Sequence, residues 1–434
     1  MVARMQEEIL KFSIHRPIYK SMRKTLFVGV IVLPGCFHAD ADESDSLAQD
    51  SESSDTSSTS LSESSSSSSS SSSGSSEAET SDPDFTPDGC YKWSEQVALQ
   101  DAVGMYDCVE VQPGTWMLGF GVAMPPGKTL RGVSAEASVL RANPASWTFG
   151  CCDSVVSDTL PADPAANPFH VSNLTIDGGG VATYDLCCRG YEVENTILRN
   201  SRCSALGAAG PGVVARGNLM TGNAQPTQIP EQGLVTCATG GFGGVAEGAA
   251  VYSEAQGVDL GSVFENNTIE NSYGPALDIN GAWGGTFSGN NVYSNAAWAA
   301  VSLYGASGWT IEYNTISHPG GPPQPYHPYC ATGPAGGQSA GIFLCQDTDI
   351  NGLTTNDNLI KNNVTSSFYG ILSVGADEVQ PYWAPRNNTF IGNDVFGSVI
   401  GCADDFALGQ WLTDVNVWSG NNCAGPPDTG PATF

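Results

Sequence analysis

The chain has 434 residues, with 45 Asp and Glu against 16 Lys and Arg, for a formal charge of −29. So large an acidic excess excludes nucleic acid and an anionic membrane surface as partners of the folded part. Thirteen cysteines point to an exported chain with a disulfide framework rather than to a reducing cytosol.

Met22-Arg23-Lys24 precedes the apolar run TLFVGVIVL, which ends at Leu33-Pro34-Gly35-Cys36. The run is too short to span a bilayer. The segment resembles a bacterial lipoprotein signal, in which Cys36 becomes the lipidated first residue. Residues 1–35 are therefore expected to be removed, with Met22 as the true start and a lipid anchor as the sole tie to the membrane. Residues 36–89 are rich in Ser and acidic, with no Lys or Arg between Cys36 and Lys92. Such a composition buries too little apolar surface to offset ordering entropy, so it is expected to act as a disordered tether at a bacterial cell surface or outer membrane.

The folded domain is expected over 90–425, with a tail at 426–434. A short helix is predicted near 96–101. It is followed by Val109-Glu110-Val111-Gln112-Pro113-Gly114-Thr115-Trp116 and then Lys128-Thr129-Leu130-Arg131-Gly132. From Asn173 onward, an Asn followed by a β-favouring step recurs at Asn195, Asn218, Asn267, Asn291, Asn314, Asn363 and Asn388. The central steps are 24 and 23 residues, from 267 to 291 to 314. A fixed period of about 20–50 residues marks stacked repeats. Between the Asn steps, short alternating runs such as Leu277-Asp278-Ile279-Asn280 and Val301-Ser302-Leu303-Tyr304 have one inward and one outward face. Gly, Asn, Pro and Ser interrupt every few residues, which leaves no room for helices. The expected fold is all-β, a single-stranded right-handed parallel β-helix (solenoid) with a short N-terminal capping helix. The Asn residues would form a structural ladder at one turn.

The period, the Asn173-Leu174-Thr175-Ile176-Asp177-Gly178 step and the entry motif resemble the pectate-lyase-like superfamily of right-handed β-helix proteins. The resemblance covers 90–425 and implies the fold. The activity motifs of that superfamily are missing. Asp404-Asp405 stands without Gly-His-Gly or Arg-Ile-Lys, and neither Asp-Pro-His-Asp nor Arg-x-Pro-x-x-Arg occurs.

Aligned on one strand per coil, Leu186, Val251, Leu277, Val301, Ile342, Leu372 and Ile400 are expected to point inward. The same alignment sets Cys151-Cys152 beside Cys187-Cys188, predicting inter-coil disulfides there and an Asp153–Arg189 salt bridge. The remaining cysteines after Cys36 pair by proximity: Cys90 with Cys108, Cys203 with Cys237, Cys330 with Cys345, and Cys402 with Cys423.

Two Pro- and Gly-rich insertions, 224–247 and 320–338, would wall one face, and long loops on a rigid scaffold are where function concentrates. Between them lie Tyr252 and Glu254, then Asp278 and Asn280, then Ser302 and Tyr304, with Trp283, Trp298 and His318 nearby in sequence. Glu254 and Asp278 fall one coil and two residues apart, about 8 Å on the diagonal. That suits the ~6.5–9.5 Å carboxyl separation of inverting glycoside hydrolysis. The pair is therefore the candidate acid and base, with Tyr252, Asn280, Trp283, Tyr304 and His318 as candidate substrate contacts. A polar, solvated outer face explains the same residues without catalysis. The expected function is a cell-surface, carbohydrate-active protein, a hydrolase rather than a lyase, acting as a monomer on a polysaccharide. The alternative is a non-catalytic glycan-binding, adhesin-like or structural module. A lyase needs a cation or a metal to neutralise a uronate, and the domain is poor in basic residues. Calcium is the one candidate cofactor, at Asp347, Asp349 and Asn351 in a D-x-D-x-N-G turn, where an ordinary Asn-Gly turn serves equally well. No zinc-ligand spacing exists.

Overall fold

The computed structural model describes residues 82–148, 153–159, 166–223, 251–253, 259–272, 274–294, 299–318, 340–346, 354–375, 385–406 and 416–423. Within them each coil from Cys108 to Gly375 contributes three short strands. One coil runs Phe169–Ser172, Thr175–Asp177, Tyr184–Cys188, and the next begins at Tyr191–Glu194. Strands pair only with their equivalents one coil away, always in parallel, apart from one antiparallel bridge between Phe85 and Tyr91. The described strands form three sheets. Sheet 1 has twelve strands, from Tyr91–Trp93 to Val417–Ser419; sheet 2 has nine, from Gly114–Leu118 to Val364–Ser366; sheet 3 has ten, from Val122–Met124 to Ile400–Phe406.

Matched register stacks like on like. In sheet 1, Val171, Val193, Ala215, Phe264, Phe287 and Ile311 form one inward column, none more than 1 % exposed. In sheet 3 the inward column runs Leu186, Leu206, Val251, Leu277, Val301, Ile342 and Ile371. The expected members Leu372 and Ile400 are displaced. Ile371 takes the column and pairs with Cys402, Leu372 stands beside Phe343 in the outward row, and Ile400 lies opposite Tyr369. Ile371-Leu372 is apolar at both positions, so alternation carried no parity signal there.

The outward row of sheet 1 solves a problem that in-register stacking creates. Like charges on adjacent coils would sit about 4.8 Å apart. Signs alternate instead: Glu110 with Arg131 at 2.8 Å, Arg216 with Glu265 at 3.1 Å, and Glu312 with Lys361 at 2.7 Å.

The helix spans Leu99–Met105, later than expected, and buries Leu99, Ala102 and Val103 over the first coils. Its position is pinned by Gln100. The Gln100 amide donates to the Ala123 carbonyl at 2.9 Å and accepts from the Ala123 N–H at 2.8 Å. One side chain thus occupies the open edge of the first strand of sheet 3, an edge that would otherwise invite another chain.

The Asn repeat resolves into two kinds of position. Between sheets 1 and 2 each coil from Asn173 onward places one residue in the left-handed region, among them Asn195, Asn266, Tyr313 and Asn362. The residue after it forms the buried ladder Asn218, Asn267, Asn290, Asn314, Asn363 and Asn393. In each rung the upstream Nδ2 donates to the next Oδ1 and to a main-chain carbonyl, and the Oδ1 accepts both a main-chain and a side-chain N–H. Asn290 rather than Asn291 is the rung. Asn388 belongs to a second ladder, with Asn358 and Asn416, on the opposite flank of sheet 1.

Glycine follows a left-handed Asn at two of these turns for a steric reason. A Cβ at Gly289 would lie 2.6 Å from Asn266 Oδ1, and one at Gly392 would lie 2.6 Å from Asn362 Oδ1. At these two turns the Asn of one coil leaves no room for a side chain on the next.

Candidate functional site

The outward row of sheet 3 runs Cys187, Gly207, Tyr252, Asp278, Ser302, Phe343 and Leu372. A second row two residues on holds Asn280, Tyr304 and Cys345. Direct pairing of Tyr252 with Asp278 matches the expected register. Glu254 and Trp298 lie outside the described residues, as do the insertions 224–247 and 320–338 and the candidate calcium residues Asp347, Asp349 and Asn351.

An open groove was expected here, yet Asp278 and its neighbours in these rows are buried. Asp278 is 1 % exposed, Asn280 2 %, Ser302 0 % and Tyr304 1 %. Next to them Phe343, Leu372, Tyr369 and Ala340 form a second apolar cluster with Tyr304 and Cys345, separate from the coil core. Apolar runs such as Ile342-Phe343-Leu344 were the available sequence signal. A strand apolar at consecutive positions is covered on both faces.

Two expected contacts lie elsewhere. Trp283 opens the sheet 1 strand Trp283–Ser288 and is 41 % exposed. His318 follows the sheet 2 strand Thr315–Ser317, its N–H donating to the Ser366 carbonyl at 2.8 Å, and it is fully buried. Neither stands on the strands that carry Asp278.

At the N-terminal end of the same face the cysteine expectation is corrected. Cys187 is bonded to Cys188 as a vicinal disulfide. Leu186 pairs with Val156, and the Thr183 N–H donates to the Asp153 carbonyl. The coil offset here is thus 30 residues, whereas pairing Asp153 with Arg189 had required 36. Cys187 consequently stands in the register of Ser157, while Cys151 and Cys152 lie outside the described residues. The disulfide packs against Gly207, where a Cβ would meet Cys187 Sγ at 2.9 Å. The same offset repartners the charges. Arg189 pairs with Asp158 at 3.4 Å, and Asp153 instead accepts from Trp147 Nε1 at 2.8 Å and from Thr183, with Arg202 at 3.9 Å. Burial raises the carboxyls of both Asp153 and Asp158 above the usual range, against the pull of their donors and Arg partners.

Cys90–Cys108 and Cys402–Cys423 form as expected. Cys203 and Cys345 are disulfide-bonded; their expected partners Cys237 and Cys330, and the lipidation candidate Cys36, lie outside the described residues.

One buried acid had no sequence signal. Asp185 is 0 % exposed, and its carboxyl is raised well above the usual range, first by burial and then by the charge of Asp177. Asp177 itself is held by Arg199 at 2.9 Å, by Asn200 and by the Gly179 N–H. Among the described residues no group of three or more His, Cys, Asp or Glu is arranged to hold a metal.

A family model described as "Right handed beta helix region" matches residues 243–404. No curated protein sequence matches the chain. Among solved structures, the catalytic domain of a GH87 α-1,3-glucanase in complex with nigerose is 14 % identical and covers 79 % of this chain and 69 % of its own, with a TM-score of 0.43. The Dettilon tailspike protein is 14 % identical over 73 % of this chain and 66 % of its own, TM-score 0.42. The A-module of a mannuronan C-5 epimerase from Azotobacter vinelandii is 13 % identical over 74 % and 91 %, TM-score 0.33. With three parallel strands per coil and residues 243–404 matching that family model, the chain is a right-handed parallel β-helix protein.

Proposed function

We propose that the protein is a polysaccharide hydrolase whose site is the outward face of sheet 3 around Asp278. The observation that carries this reading is a carboxylate at 1 % exposure on the outside of a solenoid, in register with Tyr252 and Ser302 and flanked by Asn280 and Tyr304. Burying a carboxyl on a face that could have been solvated is costly, and sites of chemistry are where such costs are kept. Glu254, two residues beyond Tyr252, is the second acid of the proposal. In the reaction one carboxyl delivers its proton to the glycosidic oxygen as the C–O bond breaks. The other takes a proton from the water that attacks the anomeric carbon. Asn280 and Tyr304 are then the groups that orient sugar hydroxyls.

The test is release of reducing ends from a panel of plant, algal and bacterial polysaccharides by wild type, Asp278→Asn and Glu254→Gln. Activity that survives in either folded variant sinks the assignment of that residue as an acid of the site. Binding that persists in both, with no activity in the wild type, favours a non-catalytic glycan-binding module. The proposal extends to lipidation at Cys36 and display at a bacterial cell surface. Incorporation of labelled fatty acid, lost in Cys36→Ser, is the expected result. Calcium at Asp347, Asp349 and Asn351 is proposed as a structural ligand, to be read as chelator-reversible thermal stabilisation.

A further inference from the structure

Tyr313 departs from the pattern of the turn between sheets 1 and 2. All the other coils from Asn173 to Gly420 place Asn or Gly there in the left-handed region, whereas Tyr313 holds φ 55°. A bulky side chain in that region is a backbone outlier that costs stability. Burial does not account for it, because the residue is 58 % exposed. Its ring meets Lys361 Nζ at 5.9 Å from the centroid, and that ammonium is already paired with Glu312 at 2.7 Å. Strain of this kind persists where it serves a site.

Sheet 2 carries a strip beside this turn. The outward residues of three adjacent coils are Asn291 and Tyr293, then Thr315 and Ser317, then Val364 and Ser366, paired in register. All six are exposed, Tyr293 by 45 % and Val364 by 50 %. Among the described residues no hydrogen bond engages the side chain of Asn291, Tyr293, Thr315 or Ser317. The strip itself is uncharged. Glu270 lies in the coil before it and Asp394 in the coil after it, while Glu312 and Lys361 belong to the outward row of sheet 1. His318 follows Ser317 but is 0 % exposed, so it is no part of the surface, and His327 lies outside the described residues. Tyr313 and Tyr293 bracket the strip. Tyr313 stands four residues (317 − 313) before Ser317, the register partner of Tyr293, so the two backbones are at most about 14 Å apart.

Area and chemistry decide what such a strip can hold. Three coils about 4.8 Å apart, crossed by five residues of about 3.3 Å each, give roughly 250 Å², against about 800 Å² per partner in a stable protein interface. A second copy would also bring its own charge of −29 and be repelled. A slender, uncharged chain of flat units fits, if its units are apolar on their faces and hydroxylated at their edges. We infer that this strip of sheet 2 binds a neutral glycan. Sugar faces stack on the Tyr293 and Tyr313 rings, and sugar hydroxyls bond to Asn291, Thr315 and Ser317 between them. The surface is separate from the Asp278 face of sheet 3 and does not depend on catalysis there.

The experiment is affinity electrophoresis of the full chain in gels containing neutral polymers (glucan, mannan, xylan) or uronate polymers (pectate, alginate). Wild type is compared with Tyr293→Ala, Tyr313→Gly, the double variant, and Met105→Ala as an exposed control on the N-terminal helix. At least one neutral polymer is expected to retard wild type and Met105→Ala alike. Loss of one ring should weaken that binding about tenfold, and loss of both about a hundredfold. Tyr313→Gly separates a binding role from a structural one, because it should bind less while its thermal midpoint does not fall. Unchanged retardation in the double variant overturns the sheet 2 site, wherever else the polymer is held. Equal or stronger retardation by a uronate polymer overturns the neutral class. A wild-type dimer in sedimentation that the double variant splits would assign the strip to a second copy instead. Retardation by none of the polymers refutes the inference, and release of reducing ends judges the hydrolase reading separately.

Discussion

The adjacent residues Asn290 and Asn291 offer a sharp test of how the solenoid is held together. Asn290 is 1 % exposed. Its Nδ2 donates to the Phe264 carbonyl and to Asn314 Oδ1, each at 3.0 Å, and its Oδ1 accepts from the Asn267 N–H at 2.9 Å and from Asn267 Nδ2 at 3.0 Å. Asn290→Ala removes all four bonds and leaves two buried donors on Asn267 without their acceptor. Each stranded buried donor costs about 1–3 kcal/mol, so a loss of about 3–5 kcal/mol is expected. Asn291 is the first residue of the strand Asn291–Ser294 and its side chain is exposed. Asn291→Ala should stay within about 0.5 kcal/mol of wild type. Urea unfolding with disulfides intact measures both. Because stacked coils can open locally rather than all at once, amide exchange at 264–267 and 311–314 should accelerate in Asn290→Ala alone. Equal midpoints for the two variants, or a loss below about 1 kcal/mol for Asn290→Ala, would refute the ladder as a source of stability.

Other consequences follow from the same geometry. Gly289→Ala meets both a left-handed backbone (φ 64°) and Asn266 Oδ1 at 2.6 Å, and should lose about 1–3 kcal/mol in the same assay. Tyr313, a bulky residue at φ 55° and 58 % exposed, is strained where its neighbours are Asn or Gly. Tyr313→Gly should match or exceed wild-type stability by up to about 1 kcal/mol, and a clear loss would mean its ring contributes more than the strain costs. Burial, and then the charge of Asp177, raise the Asp185 carboxyl well above its usual range when folded, whereas it ionises at about pH 4 when unfolded. Its raised folded pKa therefore costs stability as pH rises above the unfolded value, by about 1.4 kcal/mol per pH unit until the folded value is reached. Asp185→Asn should gain on wild type as pH rises above the unfolded value of about 4, and a pH-independent difference would contradict the buried acid. Finally, cleavage before Asp185 and after Arg189 should free peptide 185–189 with its own internal cystine under non-reducing conditions; a cross-link to the segment holding Cys151 and Cys152 would overturn the vicinal assignment.

The family motifs contributed nothing to locating a site. Cations absent over the stretch from Arg216 to Lys361 could be read in the sequence, but the placement of the others needed the structure. Only there does sheet 1 prove to absorb Arg131, Arg216 and Lys361 in its alternating ladder.

What the sequence determined by itself was the solenoid: its period, its strand-type alternation, the direct register of Tyr252 on Asp278, and two of the disulfides. These are local properties, because a repeat of some two dozen residues has to place equivalent side chains above one another. What only the tertiary structure decided was offset and cover. A coil of 30 residues instead of 36 left Cys187 bonded to Cys188 and exchanged the partners of Arg189, since the length of a turn is not encoded in strand alternation. The outward face of Asp278 proved buried, since burial on a solenoid's outside depends on what packs over it, and outward polar residues read alike whether water or protein lies above them.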